Sequence, residues 1–163
     1  MTQTTTERIR DAMAADATAA CSILRRSIAE ICASHYQEAP QVIAAWLENK
    51  TEDNVRSWLT AADSMGWIAE LDRQPVGFSM LSQRGEILLL YLVPEALGRG
   101  LGHRLLQTME NTARELKLPC IKLHATRGAR TFYARHEYQP VDIERFNLGE
   151  GLEFEMTKQL GVQ

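Results

Sequence analysis

The stretch that decides the fold reads Leu-Leu-Leu-Tyr-Leu-Val-Pro over residues 88–94 and continues as Leu-Gly-Arg-Gly-Leu-Gly over residues 97–102. An apolar strand ends here at a proline, and a glycine-rich turn leads into a helix with no acidic side chain in its first turn. The start of a helix presents unpaired backbone N–H groups and the positive end of the helix dipole. Glycines let a bulky anion approach the backbone closely. The pattern therefore predicts a site that holds the phosphates of an anionic ligand.

The composition limits the protein to a few classes. With 163 residues, 45% of them hydrophobic, the chain fits one domain spanning residues 1–163 with a substantial core, and only residues 1–6 are expected to be disordered. A net charge of −3 argues against a nucleic-acid partner, which would require a basic surface. The longest apolar run, residues 87–93, is too short to cross a bilayer, and the polar N-terminus lacks a secretory signal. We therefore expect a cytoplasmic protein without a membrane or nucleic-acid partner.

The cysteine and histidine residues give no sign of a metal site. Three cysteines and four histidines are scattered along the chain without metal-ligand spacing. Because three cysteines cannot all pair with one another, reduced thiols are the expected state. We predict no structural metal.

Hydrophobic periodicity predicts an alternating series of helices and strands. In chain order the predictions are a strand at residues 9–13, a helix from 17 to about 35, short helices beginning at 40 and 51, a hairpin of strands 67–71 and 75–81, a strand at 85–93, a helix at 101–117, a strand at 120–125, a helix at 128–136, and a closing hairpin of strands 138–147 and 152–158. The near-continuous apolarity of residues 85–93 predicts burial on both faces of that strand. The expected fold class is α/β, with a mixed sheet and helices on both faces.

Residues 92–102 carry a motif with a specific spacing. Leu-Val-Pro ends the strand at residues 92–94, and Gly100 and Gly102 follow at the positions of two small residues. The motif resembles the cofactor loop of the GCN5-related N-acetyltransferase (GNAT) family, which binds acetyl-coenzyme A. Leu97 departs from this pattern, because Arg or Gln is usual there. The family holds the diphosphate mainly by main-chain N–H groups, so this departure is expected to weaken binding without abolishing it.

A second motif lies at the expected distance from the first. In residues 125–138, Ala129, Phe132 and Tyr133 match the family's segment of a small residue followed by a Phe-Tyr pair on a helix. Thr126 stands where Asn is common, and the Glu-Tyr pair at 137–138 stands where Gly-Phe is common. Residues 35–36, 43–46 and 85–87 further resemble a bacterial subgroup of small, uncharacterised acetyltransferases.

The resemblance implies the acyl-CoA N-acyltransferase fold, with a central, mostly antiparallel sheet that contains a splayed parallel strand pair. It also implies acetyl-CoA as cosubstrate, bound by the backbone of the apolar strand and by the glycine-rich loop. One N–H of the strand is expected to face the acetyl oxygen. The residues expected to bind the cosubstrate are Leu92, Val93, Gly98, Arg99, Gly100, Leu101, Gly102, His103, Thr126 and Tyr133.

The same resemblance assigns the chemistry to a few side chains. Tyr133 is expected to be the general acid that protonates the leaving thiolate, and Glu86 the base that deprotonates the acceptor amine directly or through water. His35 and His124 are alternative bases. His35, Tyr36 and His124 are also expected to contact the acceptor. Phe146 is a further candidate for lining the acceptor site, whereas aromatic packing in the core is favoured for Trp46 and Trp58.

These residues together predict an acetyl-CoA-dependent N-acetyltransferase that transfers the acetyl group directly to a primary amine of a small molecule or peptide. One alternative is an enzyme that acetylates protein N-termini or lysines. Another is a catalytically inactive module that binds or senses acyl-CoA. The family often pairs through its C-terminal strands, so a homodimer is a further option.

Overall fold

The computed structural model describes residues 4–32, 40–148 and 153–161. The helices are α1 (Ala17–Glu30), α2 (Pro40–Leu47), α3 (Glu52–Leu59), α4 (Leu101–Glu115), α5 (Arg130–Arg135) and α6 (Ile143–Leu148). The strands are β1 (Glu7–Asp11), β2 (Ser64–Leu71), β3 (Gln74–Ser82), β4 (Glu86–Leu92), β5 (Cys120–Thr126), β6 (Gln139–Pro140) and β7 (Glu153–Gln159). Short 3₁₀ turns at Ala14–Asp16 and Pro94–Ala96 precede α1 and the glycine-rich loop.

The strands form one seven-stranded sheet in the order β1-β2-β3-β4-β5-β7-β6. All neighbouring strands are antiparallel except β4 and β5, which are parallel. A parallel pair requires a crossover connection, and α4 provides it. The predicted mixed sheet with one parallel pair is confirmed.

Helices cover both faces of the sheet. A side chain at Gly77 of β3 would touch Leu105 of α4, whereas one at Gly66 of β2 would touch Leu59 of α3. Gly66 pairs with Met80 of β3, which lies three residues after Gly77. Because successive residues of a strand point to opposite faces of the sheet, Gly66 and Gly77 lie on opposite faces. The apolar faces of α1 and α4 both pack on β3 and β4, and the core therefore lies in two layers around the centre of the sheet.

Local sequence explains the turns and helix starts around this core. Asp72 and Arg73 have φ values of +49° and +67°, which are typical of the two-residue turn that joins twisted antiparallel strands. Thr51 caps α3, because its hydroxyl accepts a hydrogen bond of 3.1 Å from the N–H of Asn54. Thr6 and Asp72 exchange two hydrogen bonds, so the chain is anchored to the sheet by Thr6.

The structure corrects the predicted closing hairpin. Residues 139–140 do pair with β7, but α6 replaces the rest of the predicted strand. Asp142 favours the helix, since its Oδ1 accepts a hydrogen bond of 3.0 Å from the N–H of Arg145. Arg130 then binds the carbonyl oxygen of Phe146 at 2.6 Å. The predicted turn at residues 149–151 lies outside the described residues.

Two further expectations differ from the structure. Helix α1 ends at Glu30, before the predicted end near residue 35. Strand β4 is not buried on both faces, because Leu88 is 45% exposed and residues 89–92 are half-buried. The reason is that β4 separates from β5, as described below. Within the part of the chain that the structure describes, no helix has the length and apolarity needed to cross a membrane.

Candidate active site

The parallel strands β4 and β5 part after two residue pairs. In the described residues, Glu86 pairs with Lys122 and Ile87 with Leu123, and the ladder ends there. β3 and β7 hold the outer edges of the two strands along their length, so each strand stays in the sheet while the space between them opens. A cavity of about 250 Å³ fills this space, and we call it the gap cavity. Its lining is mainly apolar and comes from β4, β5, α5 and the end of α1.

A change of register in β4 decides which backbone groups face the gap. Met80 of β3 pairs with Leu89, but Leu81 pairs with Ile87, so Leu88 is an extra residue in β4. Beyond this bulge, the backbone groups of successive residues point alternately toward β3 and away from it. The N–H of Val93 donates to the carbonyl of Val76 at 2.9 Å. The expectation that the main chain of Val93 faces the gap is therefore wrong.

The same alternation assigns the gap-facing backbone to two other residues. Leu90 and Leu92 direct their N–H and C=O groups away from β3, toward the separated strand β5. Both residues line the gap cavity. The prediction for Leu92 is consistent with this geometry, and Leu90 was missed. Only the bulge reverses the alternation, and the apolar sequence of β4 gives no sign of where a bulge falls.

The glycine-rich loop continues from β4 into the N-terminus of α4. Gly98 and Gly100 have φ values of +77° and +83°, a region that residues with a side chain rarely adopt. The first hydrogen bond of the helix runs from the N–H of Arg104 to the carbonyl of Gly100 at 3.0 Å. The N–H groups of residues 101–103 precede this bond and have no intrahelical acceptor. The loop thus presents a cluster of donors at the positive end of α4, as the sequence predicted.

The two polar side chains predicted in this loop differ in their surroundings. Arg99 is exposed, and its guanidinium makes no ion pair within the described residues. The ring of His103 stacks on the ring of His136 with centroids 4.6 Å apart. Burial, followed by the neighbouring His103, lowers the pKa of His136. Arg99 is therefore available to a phosphate, whereas the His103 ring is already packed.

An ion pair fixes the approach to the loop. Both terminal nitrogens of Arg26 on α1 contact the carboxylate of Glu95 at 2.7 Å. The Arg26 guanidinium lowers the pKa of Glu95 to about 2. A bidentate pair of this kind restricts orientation as well as distance. It ties α1, which closes one side of the gap, to the 3₁₀ turn that leads into the glycines.

Tyr133 lies on α5 and lines the gap cavity, with 6% of its surface exposed. Its ring makes edge contacts with Phe132 and Tyr138 at centroid distances of 5.2 and 5.5 Å. Its hydroxyl makes no hydrogen bond within the described residues. Burial raises the pKa of Tyr133, so the phenol stays protonated well into the alkaline range. Thr126 lines the same cavity at the end of β5.

Glu86 and His124 meet at the point where the strands begin to part. His124 lies two residues after Lys122, the partner of Glu86, and therefore on the same face of the sheet. The His124 Nδ1 lies 3.8 Å from the Glu86 Oε1. The two side chains are half-exposed, at 52% and 37% respectively. The structure thus brings together two residues that the sequence offered as alternative bases.

Two side chains that line the gap cavity, Tyr91 and Cys32, carry chemistry that the sequence did not assign. The phenol oxygen of Tyr91 accepts a hydrogen bond from the indole of Trp46, and burial raises the pKa of that phenol. Cys32 lines the cavity near the end of α1, and burial raises the pKa of its thiol to about 11. A single aromatic or cysteine in an apolar segment carries no positional signal, so only the folded chain identifies them.

A second cavity of about 890 Å³ adjoins the first, and we call it the outer cavity. The two cavities share Leu88 and Leu89 of β4. Polar and charged residues make up a larger share of the lining of the outer cavity than of the gap cavity. Its charged residues are Lys50, Asp63, Arg84 and Glu86. Trp58, predicted to pack in the core, lies between the core and this cavity.

Six of the predicted site residues line one of these two cavities, namely Glu86, Leu92, Gly102, His124, Thr126 and Tyr133. His35 and Tyr36 lie outside the described residues. Phe146 does not line either cavity, because it packs on Phe154 and Arg130. No group of three or more residues able to hold a metal ion occurs in the described parts of the chain.

Comparison with known proteins identifies the class. A family model for the acetyltransferase (GNAT) domain matches residues 32–160. The chain is 30% identical over 138 residues to the uncharacterized N-acetyltransferase YafP of Escherichia coli K12, and the match covers 85% of each chain.

Solved structures agree with this match. The PaiA N-acetyltransferase from Thermoplasma acidophilum, in complex with coenzyme A, superposes with a TM-score of 0.82 at 22% identity, covering 95% of this chain and 99% of that one. A GCN5-related N-acetyltransferase from Rhodopseudomonas palustris gives a TM-score of 0.80 at 28% identity, with coverage of 98% and 99%.

The fold and the parted strands therefore define an acyltransferase. More narrowly, the chain belongs to the GNAT family of acetyltransferases.

Proposed function

We propose that the protein transfers an acetyl group from acetyl-CoA to the primary amine of a small molecule in the cytoplasm. The observation that carries this proposal is the gap between β4 and β5, which ends at the donor cluster of residues 98–103. An extended pantetheine arm fits an apolar gap with free backbone groups on one wall, and a diphosphate fits the helix start. Acetyl-CoA supplies an activated thioester.

The residues around the gap support a direct transfer. Glu86, alone or through His124, takes a proton from the acceptor ammonium, which leaves a neutral amine to attack the carbonyl carbon. The N–H of Leu90 or Leu92 stabilises the charge that develops on the carbonyl oxygen. As the C–N bond forms and the C–S bond breaks, Tyr133 donates its proton to the departing sulfur, and it is reprotonated from solvent.

The buried cysteine argues against an acyl-enzyme intermediate. The thiolate is the reactive form of cysteine, and a pKa of about 11 keeps Cys32 protonated at neutral pH. Transfer through this thiol would require a base beside it. The sulfur therefore serves as a packing group at the end of α1, which favours direct attack by the amine.

The outer cavity favours a small acceptor over a protein. Its volume of about 890 Å³ matches the size of small-molecule sites. Charged side chains line a concave space, whereas a protein substrate would need an open groove. Acetylation of protein N-termini or lysines is the alternative, and the acceptor screen below tests it directly.

The test is an acceptor screen with acetyl-CoA, in which release of the free CoA thiol measures turnover. For an acceptor that reacts, Glu86→Gln and Tyr133→Phe are each expected to lower kcat by about 10²–10⁴-fold, the usual contribution of a general base or acid. The calorimetric Kd for acetyl-CoA should stay close to that of the parent in Glu86→Gln. Glu115→Gln, at the exposed end of α4, is the matched control for the loss of one negative charge.

Two outcomes would contradict the proposal. Parent rates across the pH range in both variants would show that these residues are not the base and acid. Tight acetyl-CoA binding without thiol release for any amine or peptide would instead support the inactive, cofactor-binding module.

A further inference from the structure

Lys50 is a buried cation for which the proposed transfer chemistry has no use. The residue is 8% exposed and lines the outer cavity. Its Nζ donates to the Asn49 Oδ1 at 2.6 Å, and no carboxylate lies within ion-pair distance of it in the described parts of the chain. An ammonium removed from water without an anionic partner costs several kcal/mol. Burial lowers the pKa of Lys50, and the exposed carboxylate of Glu153, beyond ion-pair distance, offsets this only in part. The side chain is therefore in a position to gain from a bound anion.

The main chain of Lys50 is held rigidly between α2 and α3. Its carbonyl oxygen accepts a hydrogen bond of 3.0 Å from the guanidinium of Arg25 and another of 3.2 Å from the Cys21 thiol. Its N–H donates to the carbonyl of Leu47 at 3.0 Å. Because three contacts anchor the backbone, the ammonium is presented from a fixed point of the cavity wall, unlike that of a mobile surface lysine.

The opposite charge lies on another wall of the same cavity. Glu86, on β4, reaches the outer cavity with a half-buried carboxylate. Asp63 and Arg84, the other two charged residues that line the cavity, are both exposed and opposite in sign. An acceptor amine that approaches Glu86 is cationic before it reacts, and an acceptor that also carries an anion would satisfy Lys50. A plain alkylamine would leave the Lys50 ammonium unpaired.

We propose that the outer cavity selects amines that carry their own carboxylate, namely free amino acids or close derivatives, and that Lys50 binds that carboxylate. This inference rests on the proposed acetyl transfer and specifies its acceptor. Lys50 acts in recognition and takes no part in proton transfer. Its loss should therefore raise KM for such acceptors more than it lowers kcat.

The experiment compares free L-amino acids with their carboxamides as acceptors. The carboxamide keeps the side chain and the amine but removes the negative charge. In the parent enzyme, kcat/KM should favour the carboxylate by about 10–100-fold, as expected for one charge-assisted hydrogen bond. Lys50→Met should bring the ratio close to one, and Lys50→Arg should retain part of it. Arg84→Met removes an exposed cation of the same cavity and should keep the parental ratio.

Three results would overturn the proposal: no preference for the carboxylate in the parent, an equal preference in Lys50→Met, or a preference lost only in Arg84→Met. Thermal unfolding of each variant checks that the fold is intact. Lys50→Met is expected to be at least as stable as the parent, because it relieves the burial of an unpaired charge.

A binding measurement separates failure of this inference from failure of the proposed enzyme activity. N-acetyl-L-amino acids and their carboxamides are titrated calorimetrically into the CoA-saturated protein, which requires no turnover. Tighter binding of the carboxylates, lost in Lys50→Met, supports the Lys50 site even if no amine is acetylated. Equal binding of acids and amides refutes the site even if the enzyme acetylates other amines.

Discussion

Replacing Gly100 by alanine tests whether the loop before α4 depends on backbone conformation or on space. The φ of Gly100 is +83°, and a Cβ added there would meet no atom within 4 Å. Crowding therefore costs nothing, and the penalty is the left-handed conformation of an L-residue, about 1–2 kcal/mol. We expect Gly100→Ala to lower the free energy of unfolding by this amount. If the loop relaxes to escape the strain, its N–H groups turn away, and the Kd for acetyl-CoA rises about tenfold for each 1.4 kcal/mol lost.

Gly102→Ala is the matched control, because it adds the same methyl group two residues later. Gly102 lies in the first turn of α4, and a Cβ there would make ordinary contacts of 3.5 Å with Leu92 and Phe132. Alanine is favoured over glycine in a helix by about 0.8–1 kcal/mol, so this variant should be as stable as the parent or more stable. Chemical denaturation and calorimetry with acetyl-CoA measure both variants. Parental stability and affinity in Gly100→Ala, or equal losses in the two variants, would refute the reasoning.

The remaining predictions concern stability. Lys158 contacts the buried carboxylate of Glu110 at 3.1 Å, and Lys158→Met should lower the free energy of unfolding by about 3 kcal/mol in urea denaturation. Adding Glu110→Leu together with Tyr138→Phe, which removes the hydroxyl that donates to Glu110 at 3.0 Å, should recover most of the loss. If this triple variant is less stable than Lys158→Met alone, the buried pair is not the cause. Burial raises the pKa of Tyr91, Tyr133 and Tyr138, so these phenols keep their protons in the folded state after the unfolded chain has lost them near pH 10. Stability should therefore be complete below about pH 10 and fall above it, and tyrosinate absorbance should show three of the four tyrosines ionising only on unfolding. Ionisation of all four near pH 10 in the folded protein would contradict this prediction.

Much of the fold was predictable because its signals are local. The period of apolar residues in α4 depends only on which residues face the sheet, and the turn at Asp72 and Arg73 separates two apolar runs. The prediction of a strand was wrong at residues 143–148, where the local pattern of apolar residues does not distinguish a strand from a helix. There Asp142 and a long-range contact from Arg130 decide for a helix. Propensity is a weak guide to a six-residue segment held by tertiary contacts.

The candidate site likewise contains parts that local sequence predicts and parts that depend on the tertiary structure. The glycine loop and the start of α4 follow from residues 98–103, because the N–H donors of a helix start belong to a continuous segment. The chain alone also offered Glu86, Tyr133 and His124 as reactive groups. It could not say that Glu86 and His124 lie 3.8 Å apart, since they come together only through the register of two strands joined by a helix.

The amino-acid order by itself determined the strand, the loop and the helix that form an anion site. The backbone conformation of the glycine-rich loop and the dipole of α4 both arise from residues adjacent in the chain, so they can be predicted without knowing the rest of the fold. The tertiary structure alone decided which edge of β4 is free, since a single extra residue at Leu88 reverses the direction of every backbone group after it. It also decided that Lys50 is buried with no carboxylate of the described residues within ion-pair distance, because burial is set by the packing of α1, α2 and α3 around a residue whose own neighbours in the chain are polar.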